Sequence, residues 1–425
     1  LIAVTKADMV DDEWLELVIA EVKDVVTDTF LEGAPVVPVS AIEGTGIEKL
    51  KEELTTITKR VPAKEKEGNV YFPIDRIFSV AGHGTVVTGT LIKGTIEPED
   101  KLKIYPAGLE ARVRSLQVHE EDVSKALPGQ RVGINLAGVD TADLERGDVL
   151  ATTDSLVETD YLDARLELLP TTPVVLEHGD RIRLHLGAKE VLGRAYLLDQ
   201  EELYPGDKGL VQFRLEETVV ANFKERYVLR RYSPMTTIGG GEILDSNPNW
   251  HRQGEEDTIQ ALKVKEKGSL EERIVLALKS ATEKPLTIKD LVLETSLSKS
   301  QLEEKLIQLE EENQIVELDT GQESSWLYQE HYYQLQKEIL EQLENYHQQH
   351  HLRLGMGKEE LRTKLSIKLD ANQYDLLLDD LKGAGKITQQ DAKLKLTSFE
   401  IELNSTEAKL EKKIINQFKE DKFSP

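Results

Sequence analysis

The sequence predicts a multidomain chain that contains part of an α/β domain, two β-barrels and a series of α+β winged-helix units. Three observations support this prediction. Short apolar strands alternate with amphipathic helices at the start, short strands separated by glycine, proline and aspartate turns fill the middle, and leucine-rich helices followed by strand pairs fill the end. At 425 residues the chain is also too long for one hydrophobic core.

The composition limits the classes of protein that the chain can belong to. The net charge is −25, so any RNA contact must come from local basic patches. No cysteine is present, which excludes disulfides and thiolate metal sites and favours a cytoplasmic location. No run approaches the roughly 20 apolar residues of a membrane helix. Because the chain starts at Leu1 inside a strand pattern and a final helix at 407–418 has barely begun its domain, we expect an internal piece of a longer protein.

Residues 1–63 have the layout of an open parallel α/β sheet. The spacing predicts strands at Leu1–Val4 and Pro35–Val39, and helices at Glu13–Phe30 and Gly46–Thr58. Ligands of such sheets bind beyond the carboxyl ends of the strands. The residues that directly follow the two strands are therefore candidate ligand contacts.

The motif Thr-Lys-Ala-Asp at 5–8 resembles the guanine-recognition motif of GTPases, usually Asn-Lys-x-Asp, and identifies residues 1–63 as the C-terminal part of a GTPase domain. The resemblance implies that Asp8 accepts hydrogen bonds from guanine, that Lys6 lies along the base, and that the Ser40-Ala41 loop meets guanine O6. Thr5 departs from the usual asparagine.

No Gly-x-x-x-x-Gly-Lys-Ser/Thr loop occurs in the sequence, so the phosphates of GTP or GDP, Mg²⁺ and the hydrolysis residues must be held elsewhere. We therefore expect no catalytic residue here, poor GTP binding by this chain alone, and GTPase activity only in the intact protein.

The two predicted barrels span residues 69–153 and 158–247. Residues 77–90 resemble the second domain of the elongation factor that carries aminoacyl-tRNA to the ribosome. That general factor typically has Asp and Asn at the positions matching Arg76 and Arg131. Arginine at both positions resembles the selenocysteine-specific elongation factor of bacteria, and the resemblance implies that they line the aminoacyl pocket.

The chemistry of selenium fits two arginines. A selenol is a stronger acid than a thiol, so selenocysteine is largely an anion at neutral pH, whereas serine is neutral. Guanidinium groups stay charged and capture anions. We expect Arg76 and Arg131 to supply the charge, with Asp75 and His83 shaping the pocket. The alternative is that these arginines pair with local acids or bind tRNA phosphate.

A second basic cluster lies in a stretch at 226–241 that resembles the end of the third domain of these factors. The resemblance implies that Arg226, Arg230 and Arg231 contact the tRNA acceptor arm. The alternative is that they alternate along a strand and are solvated on one face.

The remaining chain predicts winged helices at 255–329 and 330–400 and the start of a third at 405–425. Each of the first two has three helices followed by a hairpin, and residues 350–362 resemble the second winged helix of the selenocysteine factor. Between 255 and 400 there are 29 acidic and 19 basic residues, so we interpret both units as spacers rather than RNA-binding surfaces. We assign no metal to His347, His350 and His351, and expect a solvated helix end.

Together these features predict a monomeric translational GTPase that delivers selenocysteinyl-tRNA to the ribosome at recoded UGA codons. The resemblance implies that an mRNA hairpin binds winged helices that follow this chain. Two alternatives stay open at this stage. One is a general tRNA-carrying or initiation-type GTPase, and the other is a winged-helix nucleic-acid-binding regulator, which the acidic balance disfavours.

Overall fold

The computed structural model describes residues 1–27, 29–61, 66, 68–80 and 84–421. The chain divides into an N-terminal unit, residues 1–65, and a main unit, residues 66–425. Among the described residues, no helix combines the length and the apolar character needed to cross a bilayer.

The N-terminal unit is a pair of parallel strands with two helices. Strands β1 (Ile2–Thr5) and β2 (Val36–Val39) pair so that their last residues are partners. Helix α1 (Asp12–Val25) begins where the Asp11 carboxylate accepts the backbone N–H of Trp14, 2.9 Å away. Helix α2 is Ile47–Thr58.

The prediction that the first helix continues to Phe30 is wrong. Helix α1 ends at Val25, and the Thr27 and Thr29 hydroxyls donate to the backbone carbonyls of Lys23 and Val26, at 3.1 Å and 2.6 Å. Such hydroxyl contacts offer the backbone an alternative to the helix.

The first barrel of the main unit is built from the strands that follow residue 70. They form a ring in the order β5-β9-β3-β4-β8-β6, which closes because β5 also pairs with β6, and β7 is added at the outside of β6. The strands are β3 (Tyr71–Val80), β4 (Gly84–Thr90), β5 (Lys101–Tyr105), β6 (Leu109–Val118), β7 (Glu121–Val123), β8 (Arg131–Ala137) and β9 (Val149–Ala151). Alternate residues point inward, and Phe72, Val87 and Ile134 are fully buried in its core.

The second barrel is closed in the order β10-β15-β13-β12-β16-β17, and β11 and β14 form a separate pair. Its strands are β10 (Thr159–Leu168), β11 (Leu176–Glu177), β12 (Asp180–Leu186), β13 (Lys189–Leu197), β14 (Glu202–Leu203), β15 (Lys208–Val219), β16 (Arg226–Arg231) and β17 (Thr237–Asp245). Leu166, Phe213 and Leu229 are fully buried inside it.

The two barrels pack directly on each other. The hydroxyl of Tyr71, at the start of the first barrel, donates to the carboxylate of Glu225 in the second, 2.6 Å away. Tyr71, Val149 and Val220 are buried in one apolar cluster at this interface. The interface therefore joins the barrels through both apolar packing and a partly buried polar contact.

A helix that the sequence analysis did not predict connects the second barrel to the winged helices. Helix α3 (Glu256–Lys267) buries Ile259 and Leu262 against Leu198, Leu210 and Leu244 of the barrel. Only two of its residues are buried and its last three residues are charged, so its hydrophobic spacing is weak.

The first winged helix begins directly after α3. It contains α4 (Leu270–Ser280), β18 (Leu286–Thr287), α5 (Ile288–Thr295), α6 (Lys299–Glu311), β19 (Ile315–Asp319) and β20 (Ser324–Tyr328). The three strands form one sheet in the order β18-β20-β19. A capping box starts α6, in which the Ser298 hydroxyl accepts from Gln301 N and the Gln301 side chain accepts from Ser298 N.

The second winged helix repeats this arrangement. It contains α7 (Gln329–Gln349), β21 (Met356–Gly357), α8 (Lys358–Arg362), α9 (Ala371–Gly383), β22 (Ile387–Gln390) and β23 (Lys393–Leu396), and α10 (Ser405–Asp421) follows. Helix α8 is a short helix of five residues. The predicted fold class, an α/β part followed by β-barrels and winged helices, is confirmed, while the predicted domain boundaries stay predictions.

Candidate functional site

Four residues on the first barrel form what we call the arginine patch: Asp75, Arg76, Thr88 and Arg131. Asp75 is an extra residue in β3, because Ile74 pairs with Gly89 and Arg76 already pairs with Thr88. Such a bulge redirects side chains locally. Because alternate residues of β4 face the same side, Thr88 and Thr90 share a face of the barrel. Arg131 pairs with Thr90, so it lies on the same face as Arg76.

The contacts within the patch centre on Asp75. Arg131 donates from both terminal nitrogens, Nη1 to Oδ2 at 2.5 Å and Nη2 to Oδ1 at 2.9 Å, and the Thr88 hydroxyl donates to Oδ1 at 2.9 Å. The Arg131 hydrogen bonds lower the pKa of the Asp75 carboxyl, Thr88 and the charges of Arg131 and Arg76 lower it further, and partial burial opposes them. Asp75 is therefore an anion that fixes the direction of Arg131.

Arg76 differs from Arg131 in its surroundings. Its side chain is exposed and has no ion-pair partner among the described residues. Arg76 on β3 and Arg131 on β8 are two strands apart and offset by two residues along the strands. Their Cα atoms are therefore roughly 12 Å apart, a distance that two extended arginine side chains can bridge. The alternative interpretation, in which the two arginines pair with nearby acids, predicts such an ion pair. Arg131 forms one with Asp75, whereas Arg76 forms none among the described residues. His83 lies outside the described residues.

Sequence reasoning missed two members of this surface. Thr88 bonds Asp75, and Gly133 on β8 pairs with Thr88 and leaves the position between the two arginines without a side chain. Strand alternation in the sequence was enough to find Gly133, because Arg131 and Gly133 are two residues apart on a strand and must share a face.

The candidate guanine residues lie at one edge of the N-terminal unit. Thr5 ends β1 beside the last residue of β2, so the loop of Lys6 and Asp8 and the loop of Ser40 and Ala41 leave the same end of the parallel pair. Lys6 has a left-handed backbone, and Lys6 and Asp8 are exposed. The Ser40 N–H is used within its own loop, donating to Thr45 O at 3.0 Å, so the N–H of Ala41 is the better placed donor for a ligand.

The candidate tRNA-contact residues lie on β16. Arg226 is exposed and its Nε lies 3.6 Å from a Glu242 carboxylate oxygen. Arg230 is half-buried, and Arg231 is exposed; neither has a carboxylate within ion-pair distance in the described part of the chain. Arg226 and Arg230 are four residues apart on one face, as both interpretations of this cluster expect.

The histidines near 350 do not all lie at a solvated helix end. His347 is buried, its ring stacks on Phe399 with centroids 3.6 Å apart, and its Nε2 accepts the backbone N–H of Leu396 at 3.2 Å. Burial lowers the pKa of His347, so the ring is neutral. The expectation of a solvated end is wrong for His347. Among the described residues, no three His, Asp or Glu side chains converge to hold a metal ion.

Comparison with known families covers much of the main unit. Residues 84–151 match the family model "Elongation factor Tu domain 2". Residues 163–249 match "Selenocysteine-specific elongation factor, beta-barrel domain", and residues 340–396 match "Elongation factor SelB, winged helix". The last two families are specific to selenocysteine factors, and together they cover both a barrel and the helical part.

Individual relatives agree with these families. The selenocysteine-specific elongation factor of Desulfomicrobium baculatum is 31% identical over 96% of this chain, and that of Haemophilus influenzae is 27% identical over 98%. The chain spans 64% of the length of each of these relatives. The crystal structure of a bacterial selenocysteine-specific elongation factor, EF-Sec, has the same fold over 98% of this chain and 64% of its own, with a TM-score of 0.73 at 23% identity. Two barrels and a winged helix that match in order, with relatives that extend over nearly the whole chain, place this protein in the family of selenocysteine-specific elongation factors.

Proposed function

We propose that this chain is the tRNA-carrying and connecting part of a translational GTPase that delivers selenocysteinyl-tRNA to the ribosome at recoded UGA codons. The observation that carries the proposal is the arginine patch, where Arg76 and Arg131 share one face of the first barrel. The names of the relatives support the same substrate.

The charges of the patch favour an anion over a neutral group. Asp75 neutralises one of the two guanidinium groups, so one positive charge remains, and Arg76 carries it without a carboxylate partner among the described residues. Charge-assisted hydrogen bonds are roughly twice as strong as neutral ones. A selenolate should therefore bind about 2–3 kcal/mol more tightly than a serine hydroxyl, which is about 30- to 150-fold. Arg131, aimed by Asp75, supplies direction and Arg76 supplies the unpaired charge.

The N-terminal unit contributes guanine recognition in this proposal. The exposed Asp8 carboxylate accepts from guanine, the Lys6 stem covers the base, the Ala41 N–H meets O6, and Thr5 and Ser40 shape the two loops. The sequence contains no Gly-x-x-x-x-Gly-Lys-Ser/Thr loop that could hold the phosphates and Mg²⁺ of GTP. GTP hydrolysis thus belongs to the intact protein, and the purified chain should show no turnover.

The aminoacyl proposal is tested with one tRNA body charged in turn with selenocysteine, cysteine or serine. The protection of the ester bond against hydrolysis by the purified chain measures the affinity for each form. We expect selenocysteinyl-tRNA to bind roughly 30- to 150-fold more tightly than seryl-tRNA at neutral pH. The cysteinyl form should approach the selenocysteinyl form as the pH rises past about 8.5, because its thiol then ionises.

Two results would overturn this proposal. One is equal affinity for the selenocysteinyl and seryl forms, which leaves a general tRNA carrier. The other is a preference that survives replacement of both Arg76 and Arg131 by alanine. A ratio of cysteinyl to seryl affinity that stays constant between pH 7 and 9 would contradict the charge mechanism in particular. Both forms share the α-amino group that titrates in that range, and only the cysteinyl form adds a thiol.

The proposal also assigns partners to the remaining surfaces. Arg226, Arg230 and Arg231 contact acceptor-arm phosphates, so their joint replacement by alanine should weaken tRNA binding and flatten its salt dependence. The two winged helices act as acidic spacers toward later winged helices that bind the mRNA hairpin. An unchanged salt slope in the triple variant would restrict these arginines to a structural role.

A further inference from the structure

The outer face of the second barrel carries a row of arginines that the proposed function does not use. On neighbouring strands, Arg181 pairs with Arg194, Arg194 pairs with Arg214, and Arg214 pairs with Tyr161. Directly paired residues project on the same face of a sheet. The row therefore crosses four strands, β12, β13, β15 and β10, and ends at an aromatic side chain.

The segment after the second barrel is fastened across this face. The side-chain nitrogen of Gln212 donates to the backbone carbonyl of Asn249 at 2.8 Å, and its side-chain oxygen accepts from the backbone N–H of His251 at 3.3 Å. The His251 ring also lies 2.8 Å from the buried carboxylate of Asp163. The backbone on both sides of Trp250 is thereby tied to the barrel.

Trp250 belongs to an alternating series of aromatic and guanidinium groups that we call the Trp250 stack: Tyr196, Arg214, Trp250 and Arg252. The Arg214 guanidinium carbon lies 3.8 Å from the ring centre of Tyr196 and 5.3 Å from that of Trp250. The Arg252 guanidinium carbon lies 5.8 Å from Trp250. Trp250 is nevertheless 51% exposed, so much of its ring remains available to a ligand.

The charges around the stack are unpaired. Arg194, Arg214 and Arg252 have no carboxylate within ion-pair distance among the described residues, whereas Arg181 is paired with Glu216 at 2.8 Å. Arg194 does donate to the backbone carbonyl of Gly179 at 2.8 Å, which leaves its charge unneutralised. The whole chain has a net charge of −25, so this concentration of guanidinium groups without a carboxylate partner is local. An anionic ligand is the one that such a surface attracts.

We propose that the Trp250 stack is a binding site for an unpaired RNA base, with the adjoining phosphates held by Arg194 and Arg252. Unpaired bases are bound by stacking on aromatic rings and on guanidinium planes, which are the two groups that alternate here. A base within a duplex is already stacked on its neighbours and cannot enter. The inference goes beyond the proposed function, because it concerns an RNA contact outside the aminoacyl pocket and is independent of the amino acid.

The free guanidinium groups favour RNA over a protein partner. Exposed tryptophan and arginine also occur at the centres of protein interfaces, but charged groups there are mostly paired with the partner or depleted from the core of the interface. An acidic peptide would satisfy the charge without using the stacking series. A nucleotide satisfies both at once.

The test compares RNA binding by the 425-residue chain and its single variants at one fixed salt concentration. The probes are a labelled single-stranded oligoadenylate and a fully paired RNA duplex of equal length, and fluorescence anisotropy gives the affinity of each. We expect Trp250→Ala to weaken binding of the single strand roughly 5- to 100-fold, and binding of the duplex less than about twofold. Trp250→Phe keeps an aromatic ring and should stay within about threefold of the wild type.

Two further variants separate the possible causes of a loss. Trp14→Ala removes a similarly exposed tryptophan, 60% accessible, from the N-terminal unit and should change neither affinity. Arg214→Lys keeps the charge but removes the planar group, so it should weaken single-strand binding selectively. Unchanged thermal unfolding of Trp250→Ala shows that its loss of binding does not arise from a misfolded barrel, and retained binding by Trp250→Phe is a second control for this.

Three outcomes would overturn the proposal. They are unchanged single-strand affinity in Trp250→Ala, equal losses for the single strand and the duplex, and saturable binding of an acidic peptide where the oligoadenylate does not bind. The second outcome means phosphate contact alone, and the third means a protein interface. Because the probes carry no amino acid, failure here leaves the selenocysteine proposal untouched, and the reverse also holds.

Discussion

Replacing Arg131 by alanine separates two roles that one side chain could have. The Asp75–Arg131 ion pair is largely solvated, with side chains 28% and 53% accessible, so its loss should change the free energy of unfolding by less than about 1 kcal/mol. The loss of a charged contact to the ligand should instead remove about 1.5–3 kcal/mol of binding. We therefore expect the preference for selenocysteinyl-tRNA over seryl-tRNA to fall about 10- to 150-fold in a chain of nearly unchanged stability.

A double-mutant cycle identifies how Arg131 acts. Asp75→Asn removes the negative charge and raises the net charge of the arginine patch. If the net charge of the patch determines its affinity for a selenolate, binding should persist or strengthen. It should weaken if Arg131 works only when Asp75 holds it in place. The combined Asp75→Asn, Arg131→Ala variant leaves Arg76 as the cation of the patch. Non-additivity between the two single changes then measures the coupling.

The assay is ester-bond protection of the same tRNA body charged with selenocysteine or serine, accompanied by chemical unfolding of each variant. Arg112→Ala is the matched control, because Arg112 forms a solvated ion pair with Glu99 at 2.6 Å on the same barrel. That control should alter neither discrimination nor stability by a comparable amount. If Arg131→Ala and Arg112→Ala both give the same discrimination as the wild type, Arg131 does not recognise the selenium atom.

Three further predictions concern stability. Tyr71→Phe deprives the Glu225 carboxylate of a 2.6 Å hydrogen bond at the barrel interface. It should lower the free energy of unfolding by about 1–3 kcal/mol, measured by urea titration. An unchanged free energy would mean that this hydrogen bond does not stabilise the contact between the barrels. Burial lowers the pKa of His347 in the folded chain, so on acidification the unfolded chain binds this proton first. The free energy of unfolding should therefore fall as the pH drops below about 6.5. The melting temperature of His347→Gln should depend less on pH in that range than that of the wild type. Asp370→Ala removes the side chain that caps α9 and should destabilise the second winged helix by about 0.5–2 kcal/mol, read from its circular dichroism melt, whereas Asp370→Asn should be nearly neutral.

The sequence predicted the elements whose hydrophobic spacing is strong and local. The barrels, α4 and α9 follow from alternation in strands and from the three-to-four spacing of leucines, since those patterns depend only on near neighbours. Helix α3 was missed because only two side chains, Ile259 and Leu262, are buried, and half of its twelve residues are charged. Its stability comes from the barrel beneath it, which local spacing cannot report.

The candidate site was predictable in composition but not in pairing. Arg76 and Arg131 follow from the resemblance, and their common face follows from strand register. The ion pair between Arg131 and Asp75 depends on a bulge that brings together residues 56 apart in sequence. No local pattern predicts where a strand takes in an extra residue. The burial of His347 was missed for the same reason, because Phe399 reaches it from a distant segment.

The packing of the main unit bears on whether its winged helices are spacers. Helix α3 is buried on the second barrel and is followed directly by α4, and the Arg273 guanidinium of α4 lies 4.0 Å above the ring of Phe223 in the barrel.

The two winged helices in turn share one core, in which Leu318 and Leu327 of the first contact the apolar face of α7 in the second. The junction between α3 and the barrel and the junction between the two winged helices bury apolar side chains, so bending at either would expose apolar surface at about 25 cal/mol per Å². A spacer that holds a distant RNA-binding end at a set distance needs such stiffness, whereas a surface that adapts to RNA needs basic charge, which residues 255–400 lack. The combination of buried junctions and acidic charge is therefore what the spacer interpretation requires.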